Sequence, residues 1–304
     1  MSDSKPTLLV AKGDISRMGG AERDLLRRLP YLQQWYNVSV ATLNPSSQLI
    51  TICNKINIKL YTPIKPWQPP TSAISQIFDG VHKTSKKAWH ECPELIDQID
   101  RFDFFQIVSG DGYLGILELI PPTKTAHLYL HEPHRGYHED SLHRKLNGRL
   151  IRPMFLTKMI LSKGRRNDLQ IVKRFSQNPN FIITGNSHYS AQRASEVYGI
   201  NCDFLHPCIN IDEYTSENLP IKNPITELSN IEYAVTIGTS NWAKGTMETI
   251  SMLSGTKISL VHIGGGNDDE ILELLRHAKA QDVNLVIAPT LSTKQLCKVI
   301  FDAL

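Results

Sequence analysis

Apolar runs that end in Gly, Asn or Pro alternate with longer segments of helical period along the whole chain. TLLVAKG at 7–13 reads as a buried strand, and GGAERDLLRRLPYLQQW after it as a helix with Leu25, Leu26 and Leu29 turned inward. NVSVATL and NIKLY follow as strands, and the stretch from Pro63 to Pro70, with four prolines and no period, is a loop. Two helical segments then lead to the strands FFQIVSG (104–110), AHLYLHE (126–132), FIITGN (181–186) and CDFLHP (202–207). A second series opens at EYAVTIG (232–238) and continues through SLVHIGGG (259–266) and NLVIAP (284–289), with helices between. Near-continuous apolar strands separated by helices specify parallel sheets covered on both faces, so the expected fold class is α/β with Rossmann-type doubly wound lobes.

Length changes that picture from one lobe to two. The 304 residues suit two domains, each able to bury its own core. The break falls in the polar segment 212–230, which has no apolar period and two prolines. The expected division is a first lobe over 1–212, a linker over 213–230 and a second lobe over 231–304. That second lobe offers three strand–helix units where an ordinary doubly wound sheet has five or six strands. At about 30 residues per βαβ unit, roughly 80–100 residues are wanting, so it is expected to be incomplete.

Composition removes several classes of function. A charged fraction of 21% with ordinary aromatic content excludes disorder and a coiled coil. No run reaches about 18 apolar residues, and the start, MSDSKPTLLV, has no secretory apolar region. The five cysteines are scattered with no CxxC pair, which argues against a zinc ribbon and a disulfide framework and suits the cytoplasm.

Four stretches can carry chemistry. In KGDISRMGGAER, Gly19 and Gly20 stand between the first strand and first helix, where free N–H groups face a phosphate. The same residues also make a plain turn and helix cap. The pattern is neither GxGxxG nor a P-loop, which argues against NAD and ATP. In AHLYLHEPHRGYHED and the three residues after it, five of the chain's 11 histidines (127, 131, 134, 138, 143) are gathered. Pro133 interrupts the helix a zincin motif needs and no Cys or Asp completes a ligand set, so no metal is expected. His131, at the carboxyl end of a strand, is placed to meet a ligand, while His127, His138 and His143 read as structural histidines satisfied by backbone.

From Arg144 to Arg174 ten Lys/Arg face a single acid, Asp168, with Leu142, Leu146, Leu150, Met154, Phe155 and Ile160 roughly on one face. A basic amphipathic helix over 142–174 suits an anionic membrane surface, although any solvated helix face is polar too. Nucleic acid fits less well, because no aromatic ladder interleaves with the charges. Last, in TIGTSNWAKGTMETI, Lys244 stands at the mouth of a helix that begins near Gly245 and can neutralise phosphate oxygens.

Taken in order, these segments resemble the family 4 glycosyltransferases. The matching stretches are MGGAERDLLRRL, YLHEPHRGYHED, FIITGNSHYSAQRASEVYGI with HPCINIDEY, then YAVTIGTSNWAKGTMETI, LVHIGGGND and the STKQLCKVIFDA helix. Within that family HEPHRGYHED looks like the HTPxRYxWD-type subgroup active on polysaccharide and O-antigen sugars. The resemblance implies a GT-B fold, a nucleotide-sugar donor, a glycan or lipid-linked acceptor, transfer with retention, no metal cofactor, and work at the cytoplasmic membrane face. It implies that Gly19 and Gly20 meet the donor phosphates, that His131 lies near the reacting sugar, that Asn186 and Ser187 form a strand-end cap, and that Lys244 steadies the departing diphosphate. Two positions depart from the family pattern. Thr239 stands where an arginine is usual, a charge-assisted contact worth about 1.5–3 kcal/mol, and the family's E-x7-E segment does not occur before Leu304. The alternative expectation is a non-catalytic or remnant glycosyltransferase-like binding protein.

Overall fold

A computed structural model describes residues 5–16, 18–70, 72–78, 80–109, 114–209, 211, 215, 219–220, 222–228, 231–288 and 291–303. The chain divides into two compact units, residues 1–139 with 155–209, and residues 140–154 with 210–304.

The first unit is built on β1 (Thr7–Lys12), α1 (Gly20–Trp35), β2 (Asn37–Ala41), α2 (Ser47–Lys55), β3 (Lys59–Tyr61), α3 (Ala73–Ile77), α4 (Gly80–His90), α5 (Pro93–Ile96), β4 (Phe104–Ser109), β5 (Thr125–Leu130), α6 (Arg135–His138), α7 (Met154–Ser176), β6 (Phe181–Gly185), α8 (His188–Tyr198) and β7 (Asp203–Phe204). Its seven parallel strands run in the order β3-β2-β1-β4-β5-β6-β7. The alternation along β1 shows why the strands read as continuous apolar runs. Leu9 and Ala11 join a core with Trp89, Phe105 and Val172, while Leu8 and Val10 join another with Leu25, Leu29 and Val38. A parallel strand covered on both faces has no polar side. The chain winds outward from β1 in both directions, so β1 and β4 flank the switch point where such sheets open a crevice.

The second unit has β8 (Tyr233–Ile237), α9 (Thr246–Leu253), β9 (Ser259–Ile263), α10 (Asp268–Ala280), β10 (Leu285–Ala288) and α11 (Thr293–Phe301), its parallel strands in the order β10-β9-β8. Capping boxes start its last two helices, Asn267 with Glu270 and Ser292 with Gln295. Of the segment read as a linker, residues 213, 214, 216–218, 221, 229 and 230 lie outside the described residues. Ile225 and Leu228 are buried with Tyr233, Val261 and Val299. Arg17, Gly110 and Pro289, which belong to stretches read above, also lie outside the described residues.

The basic stretch is not one helix over 142–174. α7 begins at Met154, directly after Pro153, and the residues before it form a short hairpin. Arg144 bridges Leu150 antiparallel, the Lys145 N–H donates to the Arg149 carbonyl at 2.7 Å, and Asn147-Gly148 makes the turn with Gly148 at φ 79°. Such a turn breaks any continuous helical face. Leu146 is buried in the second unit with Ile250, Leu260 and Leu274, whereas Phe155 is exposed. The inward face of α7 is instead Thr157, Leu161, Gly164, Asp168, Ile171, Val172 and Phe175. The strand expected over 202–207 shrinks to Asp203–Phe204, an exposed edge strand that pairs with β6.

Candidate functional site

In the first unit four neighbouring strands end around one cavity of about 410 Å³. Lys12 closes β1, Ser109 closes β4, His131 follows β5 and Asn186 follows β6, and all four line it. The N-termini of α1 and α8 complete the walls with Gly20, Glu22 and Ser190.

Lys12 is only 4% exposed, and its Nζ lies 3.2 Å from Glu22 Oε1. The other carboxylate oxygen of Glu22 accepts the Gly19 N–H at 2.8 Å. A side-chain carboxylate thus sits where the helix terminus and a lysine converge, the arrangement in which an anion is best held. Gly20 is exposed, and a Cβ there would meet nothing within 4 Å, so its backbone is open to a ligand.

The His131 Nε2 is buried without a hydrogen-bond partner among the described residues. Burial, aided by the charges of Lys12 and Arg28, pushes its pKa down to about 4, so the ring is neutral at ordinary pH. Tyr129 meets it edge-on at 4.7 Å between centroids. A neutral imidazole with an unused buried nitrogen awaits a polar partner, because leaving that nitrogen unpaired is costly.

Two buried networks hold this wall. His138, which also lines the cavity, points Nε2 at Asp168 Oδ2 at 2.9 Å, and the Tyr198 hydroxyl donates to the same oxygen at 2.9 Å. Gly164 is required there, since a Cβ would come within 2.6 Å of the Tyr137 ring. Behind the cavity Arg28 pairs with Asp24 at 2.9 Å, donates to Gln106 Oε1 at 3.2 Å and lies 4.8 Å over the Tyr129 ring. The Gln106 amide faces His127 Nδ1 at 3.3 Å, and His127 Nε2 faces the Thr184 hydroxyl at 2.8 Å. An amide nitrogen only donates, so His127 carries its proton on Nε2. Burial first, then the Arg28 charge, lowers its pKa to about 4. His127 and His138 are therefore structural, but side chains rather than backbone satisfy them. His143 is engaged as well, its carbonyl accepting from the Ile151 N–H at 3.0 Å. Asn186 and Ser187 form the cap their sequence suggests: Ser187 Oγ accepts the Ser190 N–H at 3.2 Å, and Asn186 Oδ1 accepts from the Ser190 hydroxyl.

In the second unit Lys244 is exposed and closes a short 3₁₀ turn, Trp242–Lys244, just before α9. Its stem lies against Gly238, where a Cβ would meet Lys244 Cδ at 3.2 Å. The loops after β8 and β9 pack backbone to backbone: the Gly238 N–H donates to the Ile263 carbonyl at 2.9 Å and the Ser240 N–H to the Gly265 carbonyl at 2.8 Å. Gly264 permits this, because a Cβ there would fall 1.7 Å from the Gly238 carbonyl oxygen. Fully buried His262 ties the loops from within, facing Thr236 Oγ1 and Ser240 Oγ at 3.0 Å each. The hairpin before α7 supports the same turn, with the Arg144 guanidinium 5.1 Å over the Trp242 ring.

Sequence reading named His131, Gly19, Gly20 and Lys244. The structure brings the first three to one end of the first sheet, with Gly20 and His131 lining the cavity, and puts Lys244 in the second unit. It missed Lys12, Glu22 and His262. GGAE carried a signal for Glu22, an acid three residues after a helix start, whereas Lys12 and His262 looked like ordinary members of apolar strands. Among the described residues no group of three or more His, Cys, Asp or Glu is placed to hold a metal ion. Among those residues, too, no helix is long and apolar enough to cross a membrane.

No protein-family model matches the chain, and no curated protein matches it by sequence. Solved structures do match. Anabaena HepE in complex with UDP-glucose is 11% identical with a TM-score of 0.59, over 95% of this chain and 71% of that one. The lipopolysaccharide outer core galactosyltransferase WaaB, in its apo form, is 9% identical with a TM-score of 0.52, over 97% and 71%. A glycosyltransferase from Rickettsia africae is 12% identical with a TM-score of 0.57, again over 97% and 71%. At such identities the likeness is one of fold: the chain is a GT-B-type α/β protein with two Rossmann-like parallel sheets.

Proposed function

We propose that this protein is a glycosyltransferase of the family 4 type, moving a hexose from a nucleotide-sugar to a glycan or lipid-linked acceptor at the cytoplasmic membrane face, with retention and without a metal. The observation that carries the reading is the neutral His131, its buried Nε2 unpaired, in a cavity at the strand ends of a GT-B sheet. An uncharged imidazole suits a sugar hydroxyl, which offers both a donor and an acceptor. The bond from the anomeric carbon to the diphosphate breaks as that carbon bonds to the acceptor oxygen, and the acceptor proton leaves with the diphosphate. In this scheme His131 and the open Gly20 backbone position the reacting sugar, while Lys244 stabilises charge on the leaving group. HepE in complex with UDP and with UDP-glucose supports a uridine nucleotide as the first donor to try.

Thr239, in the place of a second cation, favours one other reading, a nucleotide-binding protein without turnover. Thermal stabilisation by nucleoside diphosphates and their sugars, followed by release of free nucleotide, separates the two. Stabilisation with turnover that His131→Ala abolishes supports the transferase. Stabilisation without turnover supports the binding protein, and no stabilisation across the panel overturns both.

A further inference from the structure

The exposed face of α7 is cationic and apolar at once. The helix carries six Lys and Arg, and its only acid, Asp168, is turned inward against His138 and Tyr198. Phe155, Met159 and Lys163 follow one another at spacings of four along one ridge, a span of about 12 Å. Phe155 is 69% exposed and Met159 64%. Lys158 and Arg166 are exposed on the same side of the helix. Lys163 joins this ridge to a second apolar group, its Nζ lying 5.7 Å from the centre of the Phe78 ring. Phe78 is 56% exposed, and Ile77 just before it and Ile74 one turn back in α3 stand out as well. Among the described residues, these five large apolar side chains in water, with Lys158, Lys163 and Arg166 on the α7 side, form an exposed apolar and cationic surface.

We infer that the α7 ridge with Ile74, Ile77 and Phe78 docks on the surface of a bilayer that contains anionic phospholipid, the lysines and arginines taking the headgroups and Phe155, Met159, Phe78 and the isoleucines entering the acyl boundary. Charge complementarity selects the occupant. The exposed face of α7, whose one acid is turned inward, attracts a negative surface over a Debye length, and the aliphatic members choose lipid over nucleic acid, because Ile and Met offer bases no stacking plane. The surface differs from the amphipathic helix read in the sequence. It starts at Phe155, lies wholly in the first unit, and takes three of its five apolar groups from α3 and the residue after it, far away in sequence.

Vesicle flotation of the full chain tests this independently of sugar transfer. Binding to phosphatidylglycerol-rich vesicles is expected, with none to pure phosphatidylcholine and with release by added salt. Phe155→Ser with Met159→Ser should weaken partitioning at least about tenfold, and Lys158→Glu with Lys163→Glu at least as much. All four residues are exposed, so circular dichroism should show an unchanged fold. Should the first pair unfold, Met159→Ser alone should still weaken binding about threefold. No flotation of the wild-type chain, equal flotation with both lipids, or flotation indifferent to Phe155 and Met159 would each overturn the assignment. So would stronger capture by polyglutamate or single-stranded DNA than by the anionic vesicles.

Discussion

The strand-end regions of the two units solve opposite problems. In the first, charge is spent internally: Lys12 holds Glu22, Asp168 holds His138, and Arg28 holds Asp24. Beside the Glu132, Glu139 and Arg193 side chains of its wall, the cavity offers a ligand the neutral His131 and the backbone at Gly20. In the second, glycines and the neutral His262 bring two loops together, and the cation at the end, Lys244, stands exposed. One region is rigid through ion pairs and offers a neutral ring among paired charges. The other is rigid through backbone packing and offers a charge.

Substitutions can break this contrast, and the largest effects should come from packing. Gly264→Val drives a side chain into the Gly238 carbonyl, so denaturant melting should show a loss of roughly 3 kcal/mol or more confined to the second unit. Hydrogen exchange should then show faster opening of β8 and β9 with the first sheet unchanged. Asp168→Ala leaves His138 and the Tyr198 hydroxyl without their acceptor and should cost about 2–4 kcal/mol in the first unit, with Asp168→Asn recovering part of it.

A smaller effect follows from the two histidines. His127 and His131 both titrate near 4 in the folded protein, against an ordinary value of 6.5. The unfolded chain therefore binds protons first as pH falls. Stability contributed by the neutral rings is complete above about 6.5 and is lost as pH drops toward 4, at up to about 1.4 kcal/mol per pH unit for each ring. Melts across that window should show the slope, and His127→Gln should roughly halve it. Smallest in stability is Lys244→Ala, which should move the melting free energy by less than about 0.5 kcal/mol while weakening nucleoside diphosphate binding measured by calorimetry. A large stability loss there would end the contrast.

The strands were legible because burial on both faces leaves uninterrupted apolar runs, and β1 through β10 stand where those runs lie. The site was legible only where a residue broke the pattern. Gly19-Gly20 interrupts an apolar pattern, and His131 sits at a run's end, so both stood out. Lys12 sits inside a strand and reads as its solvated end, whereas its partner Glu22 lies across a loop that brings the two together only on folding. The basic stretch misled because a tally of charge ignores direction. Its Asn-Gly turn was visible, but leucines at helical spacing on either side concealed that Leu146 belongs to a core made of residues far downstream.

The segment 140–154 that carries this hairpin also makes the chain pass between the units three times rather than once. During synthesis it emerges long before β8, β9 and α9 exist, so Leu146 has no partners until nearly the whole chain has left the ribosome. A gene fragment ending at Ile209 would encode a first unit burdened with an orphaned apolar hairpin, and one starting at position 210 would encode a second unit with a hole in its core. No single cut separates the units, so evolution or an engineer can exchange them only by moving the hairpin together with the sheet it completes.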